Sequence, residues 1–190
     1  MPRLILASTS PYRRELLQRL RLPFEVMYPD VDEVAYLNEA PMTLATRLAK
    51  AKALAISARA PDACVIGSDQ VAECDGVRLG KPGHRDAAIE QLRAMSARSA
   101  RFLTDVCVAR GDQQFEARDE TVVRFRVLGD DEIKRYVDAE QPYDCAGSFK
   151  SEGFGITLFD AIESSDPTAL IGLPLIATGQ LLRQAGFSLP

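Results

Sequence analysis

Two short apolar runs in this chain are each followed at once by polar side chains. Residues 3–7 (Arg-Leu-Ile-Leu-Ala) and 63–67 (Ala-Cys-Val-Ile-Gly) have the length of buried strands rather than of buried helices. The first run is followed by Ser8 and Thr9 and then by Ser10 and Pro11, residue types that are favoured at the N-cap and at the first position of a helix. Because strands that lead into helices are typical of α/β proteins, we predict an α/β fold.

The remaining sequence intermingles helical and strand patterns. Apolar spacing predicts helices over residues 41–60 and 167–186, the second with Pro174 as a break or bend. An Asp-Gly pair at 75–76 between two short strand patterns predicts a β-hairpin. Residues 143–160 are predicted to be strand-like and punctuated by glycines, and their glutamate and phenylalanines suit either a base pocket or a plain hairpin. We therefore expect a mixed sheet.

Composition and charge exclude several classes of protein. The longest apolar runs, at 4–7 and 170–177, fall far short of the about 18 residues that a membrane span requires. Residues 8–14 are polar where a signal peptide would be apolar. A net charge of −4 argues against a general nucleic-acid binder. We expect a cytoplasmic protein with neither a membrane nor a nucleic-acid partner.

The histidine and cysteine content of the sequence limits which catalytic mechanisms are possible. His84 is the only histidine, so catalytic triads and multi-histidine metal sites have almost no material. The four cysteines show no C-x-x-C spacing and fit a reducing cytoplasm. We expect any catalysis to depend on carboxylates, lysines, arginines and a metal.

The turn after the first strand has the make-up of a phosphate site. A helix start offers unpaired backbone N–H groups and the positive end of the helix dipole. Ser8 and Ser10 add hydroxyl donors, while Arg13 and Arg14 add planar guanidinium groups suited to phosphate. An ordinary N-cap followed by solvated arginines is the alternative, and both interpretations stay open from these residues alone.

Other charged side chains would also serve a reaction on phosphates. Asp69 follows the strand at 63–67, and open α/β sheets bind ligands beyond the carboxyl ends of their strands. The acidic run at 30–33 offers oxygen ligands for Mg²⁺. Lys52 and Lys81 would complement phosphates as point charges. The alternatives are a turn-forming aspartate, a solvated acidic run and surface lysines.

Six motifs taken together resemble the Maf-type nucleotide pyrophosphatases. Each motif is weak alone, but the ordered set runs from Leu4 to about Leu182 and is specific. At positions 70 and 152 the chain resembles the branch acting on 7-methylguanosine triphosphate, because it has Gln70 and Glu152. The dTTP/UTP branch typically carries Thr at the first of these positions and Gln at the second. The motifs are Ser8-x-Ser10-Pro11-x-Arg13-Arg14, Asp32-Glu33, Ala51-Lys52-Ala53, Gly67-Ser68-Asp69-Gln70-Val71, Gly80-Lys81-Pro82 and Ala146-Gly147-Ser148.

The resemblance implies a fold and a reaction. The fold would be the Maf/ITPase-like α/β architecture over residues 1–190 as a single domain, with an elongated mixed sheet flanked by helices and two lobes around a central cleft. The reaction would cleave a nucleoside triphosphate between its α and β phosphates and release diphosphate with the help of Mg²⁺ or Mn²⁺. A homodimer is expected from the family only.

The resemblance also implies roles for individual residues. Asp69 would be the proton acceptor, and Glu33 and Asp69 would be the metal ligands. Further catalytic residues would be Glu33, Lys52 and Lys81, phosphate would be bound by Ser8, Ser10, Arg13 and Arg14, and substrate specificity would lie with Tyr12, Gln70 and Glu152.

The chemistry of 7-methylguanine fits the three specificity residues. Methylation at N7 leaves the base positively charged, so the Tyr12 ring could stack on it. The Glu152 carboxylate could accept hydrogen bonds from the N1–H and amine of guanine, and Gln70 could contact a further polar edge. Two alternatives remain: a dTTP/UTP pyrophosphatase of the same fold, and a non-catalytic nucleotide-binding regulator of septum formation.

One position departs from the family pattern. Thr104-Asp105 stands where Thr-Gly is usual at the end of a central strand. An added carboxylate near a polyphosphate would weaken binding unless it points away or helps to hold the metal. The sequence leaves these two possibilities open.

Overall fold

The computed structural model describes residues 2–190, and its helices and strands alternate along the chain. The strands are β1 (Leu4–Ala7), β2 (Glu25–Met27), β3 (Cys64–Cys74), β4 (Val77–Leu79), β5 (Ser99–Arg110), β6 (Gln113–Phe125) and β7 (Phe159–Glu163). The α-helices are α1 (Pro11–Gln18), α2 (Pro41–Ser57), α3 (Arg85–Met95), α4 (Asp130–Glu140) and α5 (Leu175–Gln184), with 3-10 helices at Phe154–Leu158 and Ala169–Ile171.

The strands form a mixed sheet, as predicted. Hydrogen bonds join them in the order β2-β1-β3-β5-β6-β7, and β4 pairs with β3. β1 pairs in parallel with both β2 and β3. The β3–β4 and β6–β7 pairs are antiparallel. Asp75 and Gly76 adopt positive φ between β3 and β4, which confirms the predicted hairpin.

The described chain divides into two compact units. The first comprises the chain up to Gln70 together with Leu103–Asp119 and Asp166–Pro190, and the second comprises Val71–Phe102 and Glu120–Ser165. The number of units agrees with the two lobes that the family resemblance implies. The cleft between the lobes stays a prediction.

The core of the first unit lies on both faces of β1. Leu4 and Leu6 pack in one apolar cluster with leucines of α1 and α5. Ile5 and Ala7 point the other way and pack with Ile56 of α2. Successive strand residues face opposite sides of a sheet, so a strand covered on both faces must be apolar throughout. This accounts for the unbroken apolar run at 4–7.

The second unit has an aromatic core. Phe149 makes edge-on contacts with Phe102, Phe125 and Phe159 at ring-centroid distances of 5.2, 5.6 and 4.8 Å. His84 accepts a hydrogen bond from the backbone N–H of Ala87 and so caps α3. The single histidine of the chain therefore has a structural role in helix capping.

Two predictions of secondary structure were wrong in part. Residues 143–160 were expected to be strand-like, yet β7 begins only at Phe159 and a 3-10 helix precedes it. The helix predicted from residue 167 begins at Leu175, because Pro174 is its extended N-cap residue. Among residues 2–190, no helix has the length and apolar character needed to cross a membrane.

Candidate active site

A buried lysine joins two carboxylates in the first unit. Lys52 Nζ lies 2.6 Å from Asp69 Oδ1 and 2.6 Å from Glu33 Oε1. The three side chains come from α2, from β3 and from the loop before α2. Three of the residues predicted to be catalytic are therefore in direct contact.

Close packing of α2 on β3 brings Lys52 to Asp69. A Cβ built on Gly67 of β3 would lie 2.3 Å from the Ala49 carbonyl oxygen and 2.5 Å from the Ala53 nitrogen. Only glycine permits this approach of strand to helix. Asp69 is two residues further along β3 and faces the same side of the sheet, where Lys52 reaches it.

Burial makes the Lys52–Asp69 pair interdependent. The Lys52 side chain is 6% exposed and that of Asp69 is 10% exposed, whereas Glu33 is 61% exposed. A buried charge is tolerated only when an opposite charge or hydrogen bonds compensate it. Lys52 holds only Oδ1 of Asp69, and within the described chain Oδ2 accepts no hydrogen bond. The free oxygen atom is the one available to a ligand.

The serine-rich turn has the predicted cap. Ser10 Oγ accepts the backbone N–H of Arg13 at 3.3 Å, and Ser8 Oγ accepts that of Ser10 at 3.1 Å. Both hydroxyl oxygens therefore act as acceptors within the turn, and their O–H groups can still donate outward. The N-cap interpretation is confirmed, and it leaves hydroxyl donors for an anion.

The two arginines of this turn have different surroundings. Arg13 donates from Nε to the Gly172 carbonyl at 2.8 Å. Burial lowers the pKa of Arg13, while the carboxylates of Asp69 and Glu33 raise it. Arg13 therefore belongs to the same charge cluster as Lys52.

Arg14 is exposed and borders a surface groove lined by Gln18, Leu22, Phe24 and Val26.

Gln70 uses its amide nitrogen inside the first unit. Nε2 donates to the carbonyls of Ala169 and Leu170 at 2.9 and 3.0 Å and lies 3.0 Å from Thr104 Oγ1. These contacts fix the side-chain plane and leave the amide oxygen for a ligand.

Asp105, the departure from the family pattern, is 1% exposed. Its Oδ2 accepts a 2.6 Å hydrogen bond from Thr46 Oγ1 of α2, and Arg118 Nε lies 4.0 Å away. Among residues 2–190, its buried Oδ1 has no hydrogen-bond partner. Burial raises the pKa of Asp105, against the Thr46 hydrogen bond and the Arg118 charge, which lower it.

The remaining predicted residues belong to the second unit or have partly described surroundings. Lys81 and Glu152 belong to the second unit and are exposed, and Ser151 Oγ donates to Glu152 at 3.4 Å. Tyr12 lies in α1 and is half-buried. The roles of all three stay predictions.

The sequence-based search did not identify Gly172 as part of this site. Its carbonyl accepts from Arg13 Nε at 2.8 Å and from Ser68 Oγ at 3.0 Å. Gly172 has a φ of 120°, a conformation that favours glycine. The Gly-Leu-Pro sequence that follows the 3-10 helix was the local signal of a turn there.

The carboxylates near Lys52 suit a cation that is also bound by substrate. Within residues 2–190 no group of three or more histidine, cysteine or acidic side chains could hold a metal. Asp69 and Glu33 provide two carboxylates, each of which contacts the Lys52 ammonium group through one oxygen. Mg²⁺ is often held by one or two carboxylates together with substrate phosphates, so this donor set fits it.

Comparisons with known proteins cover almost the whole chain. The 7-methyl-GTP pyrophosphatase of Xanthomonas oryzae pv. oryzae is 60% identical over 190 residues, all of both chains. The protein of that name from Albidiferax ferrireducens is 55% identical over 97% of this chain and 94% of its own. The Staphylococcus aureus Ham1 structure matches with a TM-score of 0.51 over 96% of this chain and 97% of its own. At 16% identity it shows the fold alone.

These matches agree with the motifs that the sequence carries in order. The profile of the family described as "Maf-like protein" matches residues 3–185. The chain belongs to the Maf family.

Proposed function

We propose that this protein is a metal-dependent nucleoside triphosphate pyrophosphatase that converts 7-methyl-GTP to 7-methyl-GMP and diphosphate. The observation that carries the proposal is the buried Lys52–Asp69 pair with the exposed Glu33 carboxylate 2.6 Å from Lys52 Nζ. The curated relatives named 7-methyl-GTP pyrophosphatase, at 54–60% identity, support the choice of substrate.

Asp69 would act as the general base. Lys52 fixes Oδ1, so the free Oδ2 would accept a proton from a water molecule. The water oxygen would bond to the α-phosphorus as the bond to the oxygen bridging the β-phosphate breaks, and diphosphate would leave with the electron pair. A positioned base contributes about 10²- to 10⁴-fold to a rate.

The residues around Asp69 would hold the triphosphate. Ser8 and Ser10 would donate their hydroxyls and Arg13 its remaining N–H groups, since only its Nε is engaged by a carbonyl. Arg14 and Lys81 would contribute further positive charge to the phosphates. Asp69 and Glu33 would hold a divalent cation, which when bound neutralises phosphate charge and polarises the scissile bond.

The base would be recognised by three side chains. The oxygen of the Gln70 amide is free to accept from a purine edge, because protein carbonyls engage its nitrogen. Tyr12 would stack on the cationic ring and Glu152 would accept from its N1–H and amine. We further propose that residues 1–190 act as one functional domain, in the cytoplasm and as a homodimer.

The test is diphosphate release with Mg²⁺ or Mn²⁺ from 7-methyl-GTP, GTP, dTTP, UTP and CTP. We expect 7-methyl-GTP to be preferred and Asp69→Asn to lose about 10²- to 10⁴-fold in turnover. Asp62→Asn is the matched control, since Asp62 is an exposed aspartate of the same unit.

The other outcomes decide between the alternatives. Preference for dTTP or UTP would keep the chemistry and overturn the role of Tyr12, Gln70 and Glu152. Binding of nucleotide without turnover of any of the five would favour the non-catalytic regulator.

A further inference from the structure

One arginine of α2 holds the loop that carries Glu33. Arg47 Nε and Nη2 donate to the two carboxylate oxygens of Glu39 at 2.7 and 2.8 Å, and Nη2 also donates to the Val34 carbonyl at 3.0 Å. Its guanidinium carbon lies 4.1 Å above the centre of the Tyr36 ring. We call residues 32–39 the Glu33 loop.

The second half of the Glu33 loop depends on the same carboxylate that Arg47 holds, whereas in the first half the Val34 backbone N–H donates to Asp32 Oδ1 at 2.9 Å. Glu39 accepts the backbone N–H of Tyr36 at 3.0 Å, and its side chain is only 5% exposed. The Tyr36 carbonyl in turn accepts the backbone N–H of Glu39 at 3.1 Å. Arg47 therefore fixes the group around which the second half of the loop turns.

The Glu33 loop lacks an apolar anchor of its own. Val34, Tyr36 and Leu37 are 71%, 64% and 93% exposed. No helix or strand includes residues 32–39. Ordering an irregular backbone costs conformational entropy, and the loop offsets this cost with little hydrophobic burial. Polar contacts must therefore supply most of its order, and those that Arg47 makes are among them.

The Lys52–Glu33 contact alone is a weak restraint. The Glu33 side chain is 61% exposed, and ion pairs with an exposed partner contribute little to holding a chain segment. α2 thus holds the loop at two places: Lys52 contacts the carboxylate of Glu33, and Arg47 contacts the backbone of the next residue, Val34.

We propose that Arg47 is a positioning residue that acts through Glu33. Its guanidinium fixes the Val34 carbonyl, the Tyr36 ring and the Glu39 carboxylate, which places the Glu33 carboxylate beside Lys52 and Asp69. The inference rests on the proposed function for its kinetic consequence, although its structural part can be tested alone.

The geometry requires arginine rather than positive charge alone. Arg47 donates from Nε and Nη2 to the carboxylate, donates again from Nη2 to the carbonyl, and presents the face of its planar group to the ring. A lysine ammonium is a point charge without a second donor edge or a flat face. Arg47→Lys should therefore fail to replace the native residue.

Hydrogen exchange tests the structural part. Amide exchange of a peptide spanning residues 28–40, read by mass spectrometry, should quicken at least tenfold in Arg47→Ala and in Arg47→Lys. Glu33→Gln should leave it unchanged. The matched control is Arg3→Ala, since Arg3 also forms a bidentate pair with a glutamate, Glu25, in the same unit. Unchanged exchange in Arg47→Ala would overturn the proposal.

A double-mutant cycle tests the action through Glu33. With 7-methyl-GTP, Arg47→Ala should lower kcat/KM about tenfold in the wild-type background and have almost no further effect in Glu33→Gln. Arg3→Ala should change neither. An equal loss from Arg47→Ala in both backgrounds, or no loss in the wild type, would overturn the proposal.

A failure of the proposed function is distinguishable. If the wild type hydrolyses none of the nucleotides, the pyrophosphatase assignment fails while the exchange experiment still decides whether Arg47 orders the Glu33 loop. In that case faster exchange in Arg47→Ala supports the positioning role, and unchanged exchange overturns it.

Discussion

Lys52 Nζ and Asp69 Oδ1 lie 2.6 Å apart, and the two side chains are only 6% and 10% exposed. The Asp69 charge is compensated by Lys52, and the Lys52 charge is compensated by Asp69 together with Glu33. Removing one partner of such a pair leaves an uncompensated buried charge, which commonly costs about 3–5 kcal/mol. Removing both charges together avoids that cost.

The first prediction concerns the stability of this pair. Lys52→Met should lower the free energy of unfolding by about 3 kcal/mol, and Lys52→Met combined with Asp69→Leu should recover much of it. Urea denaturation followed by circular dichroism measures both. Lys50→Met is the control, because the Lys50 side chain is 44% exposed and its pair with Glu116 should contribute at most about 1 kcal/mol. Equal losses at the two lysines would contradict the role of burial.

A second prediction follows from Asp105, whose pKa is raised by burial. The Asp105 carboxyl group therefore ionises less readily in the folded than in the unfolded chain. Over a pH range that begins near the usual aspartate pKa of about 4, the folded state binds more protons than the unfolded state. Stability should fall as pH rises through that range. Below it, the carboxyl group is neutral in both states and the penalty is absent.

Asp105→Asn separates this effect from the other carboxylates. The amide keeps an oxygen for the Thr46 hydroxyl and cannot ionise. Unfolding free energies measured from about pH 4 to about pH 7, the range above the usual aspartate pKa, should show the variant gaining on the wild type as pH rises. A difference that stays constant over this range would mean that the Asp105 carboxyl does not titrate with a raised pKa.

The third prediction concerns the close approach at Gly67. Gly67→Ala would place Cβ within 2.5 Å of backbone atoms of α2, so the helix must move away from β3. We expect a loss of about 1–3 kcal/mol in unfolding free energy. Diphosphate release should fall as well, since Lys52 moves with the helix. Gly129→Ala is the control: a Cβ added there would meet nothing within 4 Å, and the substitution should cost less than about 1 kcal/mol.

Local signals in the sequence predicted much of the fold. Ser10 and Pro11 marked the start of α1, and the Asp-Gly pair at 75–76 marked the β3–β4 hairpin. Both signals act over a few residues, so neighbouring residues suffice to recognise them. The strand prediction for the segment before β7 was wrong because its glycines permit several turns. The close approach of Gly155 to the Tyr136 hydroxyl is a tertiary contact that the local sequence does not reveal.

The arrangement of the candidate site was not available from local patterns. Lys52 and Asp69 meet because α2 docks on β3, and Arg13 is fixed by a carbonyl 159 residues away in the chain. The sequence identified Asp105 as a departure from the family pattern. Only the tertiary structure shows that Thr46 donates a hydrogen bond to its carboxylate. The motifs thus named candidate residues without showing which of them touch.

The last prediction concerns the preference for 7-methyl-GTP. Glu152→Gln keeps the shape of the side chain but removes the charge that would pair with a cationic base and replaces one acceptor oxygen by a donor. Hydrogen bonds to charged groups contribute about 1.5–3 kcal/mol, so the ratio of kcat/KM for 7-methyl-GTP over UTP should fall about 10- to 100-fold. Glu163→Gln is the control, since Glu163 is an exposed glutamate of the same unit that pairs with Arg124. A ratio unchanged in Glu152→Gln would remove Glu152 from base recognition and leave the proposed hydrolysis at Asp69 untouched, because that proposal rests on the Lys52–Asp69 contact and not on Glu152.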